Sequence, residues 1–317
     1  MFYLVTGGLG YLGGRLVEYL LNKGNRVRVT TRRPIESCPQ WAKKWEILQI
    51  ESLNRDAWLK AIEDINFVFH LAAPDASISG SDPVSALRAG GENTWALVDA
   101  VANTPEEIPI LNVSTIHVYG SSAKGLVTET FPPRPVHPYA VGHLFSEIVT
   151  RAFCSHRNIP VLNVRLSNAF GKPVALDAAK WSLVFNDLCR QAVTSNRLYL
   201  KSAGYQKRNF ITLEDTVRAL LFLASRSENW PDDQTIHVGS SVNLSIREVA
   251  ERIAGRCKVL WGEKPEVFFS NETGAQESNE FIFDVSRLKE TGFVWRNSFD
   301  QEIDDTLEIC KKWGDQK

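Results

Sequence analysis

Three observations predict an α/β protein with a doubly wound parallel sheet and a smaller, discontinuous α/β lobe. Short apolar runs recur along the chain, helical patterns stand between most of them, and a glycine-rich turn joins the first run to the first helix. Phe2 to Thr6 reads as a strand. Leu12, Leu16, Tyr19 and Leu20 then recur at helical spacing, Lys23-Gly24-Asn25 ends that helix, and Val27 to Thr30 resumes as strand. Further strands are expected around Glu46 to Gln49, Phe67 to Leu71, Ile110 to Ser114, Val161 to Arg165 and Thr235 to Val238. Such alternation implies a parallel sheet covered by helices on both faces. Residues 1–167 and 209–239 are assigned to this core. Residues 168–208 and 240–317 are less regular and richer in Trp, Phe and polar residues, and are assigned to the second lobe.

With 317 residues, 44% of them hydrophobic, the chain can bury a full core and a smaller one. Lys and Arg number 36 against 37 Asp and Glu, so nothing favours nucleic acid or an anionic membrane as partner, and an anionic ligand must be held locally. The first strand runs straight into glycines without the pattern of a signal peptide, and no stretch is apolar for long enough to span a bilayer. The five cysteines, Cys38, Cys154, Cys189, Cys257 and Cys310, form no CxxC pair. A reducing, cytoplasmic setting is therefore expected, with no metal site.

The turn Thr6-Gly7-Gly8-Leu9-Gly10-Tyr11-Leu12-Gly13 places Gly7, Gly10 and Gly13 between the first strand and the first helix. Glycine lets the backbone approach a pyrophosphate that then rests on the positive end of the helix, as in a Rossmann-type dinucleotide site. A carboxylate after the second strand would bind both ribose hydroxyls and select NAD. Thr31, Arg32 and Arg33 stand there instead, and an arginine can pair with a 2′-phosphate. NADP is favoured over NAD, with solvated loop arginines and NAD as the other reading.

Six further segments occur in a telling order. They are His70-Leu71-Ala72-Ala73, Asn112 to Gly120 (NVSTIHVYG), Pro138-Tyr139-Ala140-Val141-Gly142-His143, Arg165 to Pro173 (RLSNAFGKP), Gln206 to Asp215 (QKRNFITLED), and Phe283 to Leu288 followed by Gly292-Phe293. Together they resemble the extended short-chain dehydrogenases, the family of NAD-dependent epimerases and dehydratases that modify sugar nucleotides. The resemblance spans nearly the whole chain. It implies cofactor contacts from Gly7, Leu9, Gly10, Tyr11, Leu12, Gly13, Leu71, Ala72, Ala73, Val113, Tyr139 and His143, beside those of Thr31, Arg32 and Arg33. It also implies a homodimer built on the helices around Pro83 to Asn103 and Pro138 to His156.

The same resemblance makes Tyr139 the acid/base of hydride transfer and Thr115 the hydroxyl that orients the substrate oxygen, with Ser114 as its substitute. Ser114, Thr115, Asn168 and Arg208 fall at substrate-binding positions, the last two beside a diphosphate. A phenol needs a nearby cation to act as a base near neutrality. The family supplies a lysine four residues after the tyrosine, whereas this chain has His143, whose reach is shorter and whose ordinary pKa is near 6.5. Ile116 and His117 stand where the family's dehydratases carry acidic residues, which disfavours elimination. A second family arginine is missing, with Glu272 and Glu277 in that stretch. Two functions follow: an epimerase or 4-ketoreductase of a nucleotide sugar, or a catalytically weak or inactive dinucleotide-binding sensor or scaffold.

Overall fold

A computed structural model describes residues 1–51, 53–73, 79–121, 123–270 and 281–314. The chain forms two compact units, the first from Met1–Ala123, Glu129–Leu166 and Ala219–Val238, and the second from Lys124–Thr128, Ser167–Arg218 and Gly239–Lys317.

The first unit holds a seven-stranded parallel sheet, made of β1 (Phe2–Thr6), β2 (Arg26–Thr31), β3 (Glu46–Gln49), β4 (Phe67–His70), β5 (Ile110–Thr115), β6 (Val161–Leu166) and β7 (Thr235–Val238). Its order is β7-β6-β5-β4-β1-β2-β3. Successive strands step outward from β1 on one side and from β4 on the other, so the winding reverses between them and leaves a crevice beyond their carboxyl ends. Both faces are covered. Helices α1 (Tyr11–Asn22), α2 (Arg55–Ile62), α3 (Pro83–Ala102) and α4 (Pro138–Arg157) connect the strands. β4 is buried at every position, which its unbroken Phe-Val-Phe pattern requires of a strand with helices on both sides. Leu4, Val68, Ile110, Leu97 and Val101 build one side of this core with Trp58 and Ile62 from α2.

The second unit is assembled from small sheets and helices. Lys207–Thr212 pairs in parallel with Asn168–Phe170 and antiparallel with Asn243–Ser245. Phe185, Leu188, Val249, Ile253, Ile303 and Leu307, from the helices Val184–Ser195, Ile246–Trp261 and Phe299–Gly314, form its core. The helix Ile246–Trp261 opens on a capping box, Ser245 and Glu248 satisfying each other's backbone N–H groups. The sequence assignment returned to the first unit at residue 209, whereas the compact units divide between Arg218 and Ala219. The reason is register: Lys207–Thr212 adds to the small sheet and pairs with no strand of the large one. Among the described residues no helix is long and apolar enough to cross a membrane.

Candidate active site

The glycine turn leaves β1 at the switch in winding. Gly7 has φ +70°, and a Cβ there would lie 2.8 Å from the Leu71 carbonyl carbon. At Gly13 a Cβ would come within 2.2 Å of the Gly7 carbonyl oxygen. Neither position accepts a side chain without moving backbone, and the bare turn is what brings α1 close to the sheet. The N-cap of α1 is Gly10, which brings no capping side chain, and no acid sits in the first turn, so the positive dipole end of the helix is not countered there. A cavity of about 510 Å³ opens beside this turn. Gly7, Leu9, Gly10, Thr31, Arg32, Arg33, Leu71, Ala72 and Ala73 line it, all named from the sequence, and no described lining residue is acidic. Thr30, Ile50, Trp58, Ala89 and Asn93 line it as well, and sequence reading missed them. Its volume suits a small-molecule ligand, and the side-chain-free cradle suits a dinucleotide pyrophosphate.

Thr6, the last residue of β1, fixes this rim from below. Its Oγ1 accepts the Leu71 and Ala72 N–H groups at 3.1 and 3.0 Å, so its own hydrogen goes to His70 Nδ1 at 2.8 Å. The His70 Nε2–H is then left to donate to Thr94 Oγ1 at 2.9 Å. His70 is thus a satisfied core histidine, its pKa lowered to about 4 by burial and then by His143. From Thr94 the polar contacts continue through Ser146 to Asn112 and Asn163. This buried row links the glycine turn to α4, the helix that carries Tyr139.

Tyr139 occupies the first turn of α4 and His143 the next. Their rings meet edge to face with centroids 4.6 Å apart, and His117 approaches the same tyrosine at 6.1 Å. Thr115 ends β5, and its Oγ1 accepts the His117 N–H at 3.3 Å, which leaves its hydroxyl hydrogen to be donated. Thr115, Tyr139 and His143 therefore share one corner of the first unit. His143 is buried, and its Nε2 has no hydrogen-bond partner. The sequence suggested an imidazole of ordinary basicity. Burial instead lowers its pKa to about 4, the Glu147 carboxylate pulling the other way and His117 adding to the drop. At pH 7 His143 is neutral.

Ser114 is engaged elsewhere. Its hydroxyl donates at 2.5 Å to Glu147, a fully buried carboxylate that also receives Arg165 through Nε at 3.1 Å and Nη2 at 2.8 Å, and Arg151 at 2.7 Å. Burial alone would push the Glu147 carboxyl up, but these donors hold it below the usual carboxylate range. Arg165 reaches on to the Tyr119 hydroxyl and the Glu129 carbonyl, and Tyr119 in turn meets His237. Nothing in the sequence marks Glu147 apart from other helix polar residues. Only its spacing, four residues after His143 and eight after Tyr139, put it on their face.

In the second unit, Asn168 donates through Nδ2 to the Asn209 carbonyl at 2.9 Å and keeps its amide oxygen available. Arg208 makes no ion pair among the described residues, and surrounding protein lowers its pKa by desolvation. Glu272 and Glu277 lie outside the described residues.

The profile of the NAD dependent epimerase/dehydratase family matches residues 3–239. The chain is 25% identical over 320 residues to the low-salt glycan biosynthesis protein Agl12 of Haloferax volcanii, covering 98% of this chain and 97% of the relative. It superposes with a TM-score of 0.80 at 21% identity on a UDP-glucuronic acid 4-epimerase from Bacillus cereus, solved with UDP-glucuronic acid and NAD, over 99% of this chain and 100% of that one. MoeE5, solved with UDP-glucose and NAD, gives 0.78 at 25% identity over 99% of both chains. The glycine cradle, the reversal of winding and the profile match agree, and the chain belongs to the NAD dependent epimerase/dehydratase family.

Proposed function

We propose that this protein is an NAD(P)-dependent epimerase or 4-ketoreductase of a nucleotide sugar. The observation that carries the reading is the Tyr139 ring in contact with two imidazoles, that of His143 on its own helix and that of His117, whose N–H is held by Thr115, in the unit that holds the glycine cradle. Relatives solved with a UDP-sugar and NAD support the ligand class. A nicotinamide dinucleotide bound there supplies hydride acceptance or donation. Tyr139 takes the proton from a substrate hydroxyl as that carbon is oxidised, or returns it as a ketone is reduced, while Thr115 donates a hydrogen bond to the same oxygen. The unpartnered Nε2 of the neutral His143 can accept a hydrogen bond from a cofactor hydroxyl, where the family's lysine would bring a charge. Asn168 and Arg208 serve the diphosphate, and Ser114 acts through Glu147 without touching substrate. Among the described residues Cys38, Cys189, Cys257 and Cys310 are free and buried, in keeping with a cytoplasmic setting.

Arg32 and Arg33 line the cavity with no described acidic residue among its other lining groups, and this favours NADP. Arg32→Ala should weaken NADPH binding about tenfold, equivalent to roughly 1.4 kcal/mol, and leave NADH within twofold. Thr31→Asp should reverse the preference. Fluorescence titration of both reduced cofactors checks this, and equal affinities in wild type and Arg32→Ala remove the 2′-phosphate site.

The homodimer we propose uses α3 and α4. Val84, Leu87 and Trp95 of α3 and Val141, Phe145 and Ile148 of α4 are exposed, whereas Leu97, Val98 and Val149 of the same helices are buried within the chain. The apolar surface of these helices thus exceeds what their own sheet covers, and a two-fold partner of the same face would bury the rest. Trp95→Glu with Ile148→Glu should give a folded monomer in light scattering at micromolar concentration. A monomeric wild type ends the proposal.

A further inference from the structure

We propose that His117 carries the positive charge that eases ionisation of Tyr139, the task expected of His143. The proposal rests on the reading of Tyr139 as the proton-transfer residue. Three imidazoles stand at this tyrosine, and their surroundings differ. His137 accepts the Tyr139 backbone N–H at Nδ1, 3.2 Å away, so that nitrogen is engaged with the backbone. His143 is buried in the α4 packing, where a cation loses its hydration, and the nearby Glu147 carboxylate is already committed to Arg165, Ser114 and Arg151. His117 alone of the two ring neighbours is exposed to solvent.

Its position is nevertheless fixed. It sits on the short turn Ile116–Tyr119 that follows β5, between buried Ile116 and Val118, with its N–H held by Thr115. An imidazole's ordinary pKa lies near neutrality, and a charge on a ring whose centroid is 6.1 Å from that of the Tyr139 ring favours the phenolate. Among the described residues His137 and His143 on the α4 side and Glu147 one turn beyond His143 are titratable groups at this corner, and a charge on His117 opposes one on His143. His117 is the one of the two ring neighbours that water reaches.

The test uses the full-length protein loaded with cofactor. Tyr139 ionisation is followed by ultraviolet difference absorbance against Tyr139→Phe, and hydride transfer by single-turnover nicotinamide absorbance. His117→Gln should raise the Tyr139 midpoint by about one pH unit and slow transfer at pH 7 about tenfold. His117→Lys should restore both and remove the decline in rate expected of wild type as pH rises through the imidazole range. If His117→Gln leaves the midpoint and the pH profile in place while Tyr139→Phe is inactive, His117 loses this role and the Tyr139 reading stands. If His143→Gln raises the midpoint and His117→Gln does not, the charge belongs to His143. Turnover in Tyr139→Phe at the wild-type rate defeats the underlying reading instead.

Discussion

Tyr139→Phe is expected to slow hydride transfer by roughly a thousandfold, within the range that positioned acid/base groups contribute. The substitution removes one oxygen and keeps the ring, so the edge contacts with His143 and His117 persist and the helix start is undisturbed. Cofactor affinity should change by less than about threefold, because Tyr139 is not among the residues that line the cavity at the glycine cradle and the arginines. The measurement is a single-turnover absorbance change at the nicotinamide with a panel of UDP- and dTDP-linked hexoses and their 4-keto forms. A Tyr139→Phe protein as fast as wild type would mean that another group moves the proton. A neutral, dry His143 favours one rival reading, a dinucleotide-binding sensor or scaffold. That reading gains if wild type binds cofactor and turns over nothing in the panel.

What the sequence disclosed, and what it did not, follows from the range of the forces involved. Strands and the glycine turn were legible because apolar runs and positive-φ glycines are local signals, and each of the seven strands of the large sheet lies where such a run occurs or resumes. Ile50, Trp58, Ala89 and Asn93 were not legible as cavity residues. They reach it from the loop after β3 and from α2 and α3, and only the crossover topology sets those elements beside β1. The sequence already made His143 mostly neutral at pH 7, but the burial that lowers its pKa further was not legible, for a related reason. A side chain's solution pKa is a property of the residue, whereas its desolvation is a property of the packing that α4 shares with its neighbours. The place of Lys207–Thr212 depended likewise on pairing partners distant in the chain.

Glu147→Ala should destabilise the protein by about 3–5 kcal/mol, the usual cost of leaving one member of a buried pair without the other. The carboxylate is fully buried and neutralises Arg165, which is itself buried. Arg151 is partly exposed and can turn to water when Glu147 is lost, but Arg165 cannot, and the Ser114 hydroxyl loses its acceptor as well. Urea unfolding followed by circular dichroism measures the loss. The sign with pH follows from the lowered Glu147 pKa. Wild type keeps its advantage above the ordinary carboxylate range and loses it as pH falls through the folded-state value. Replacing the pair together, Glu147→Leu with Arg165→Met, should cost less than Glu147→Ala alone, because no charge remains buried without a counter-charge. The single variant should also slow transfer, since Ser114 precedes Thr115 on β5 and Glu147 joins that strand to the helix bearing Tyr139. A Glu147→Ala protein within about 0.5 kcal/mol of wild type would show that Arg165 finds other compensation, through Tyr119 and the Glu129 carbonyl, and that the pair does not hold the corner together.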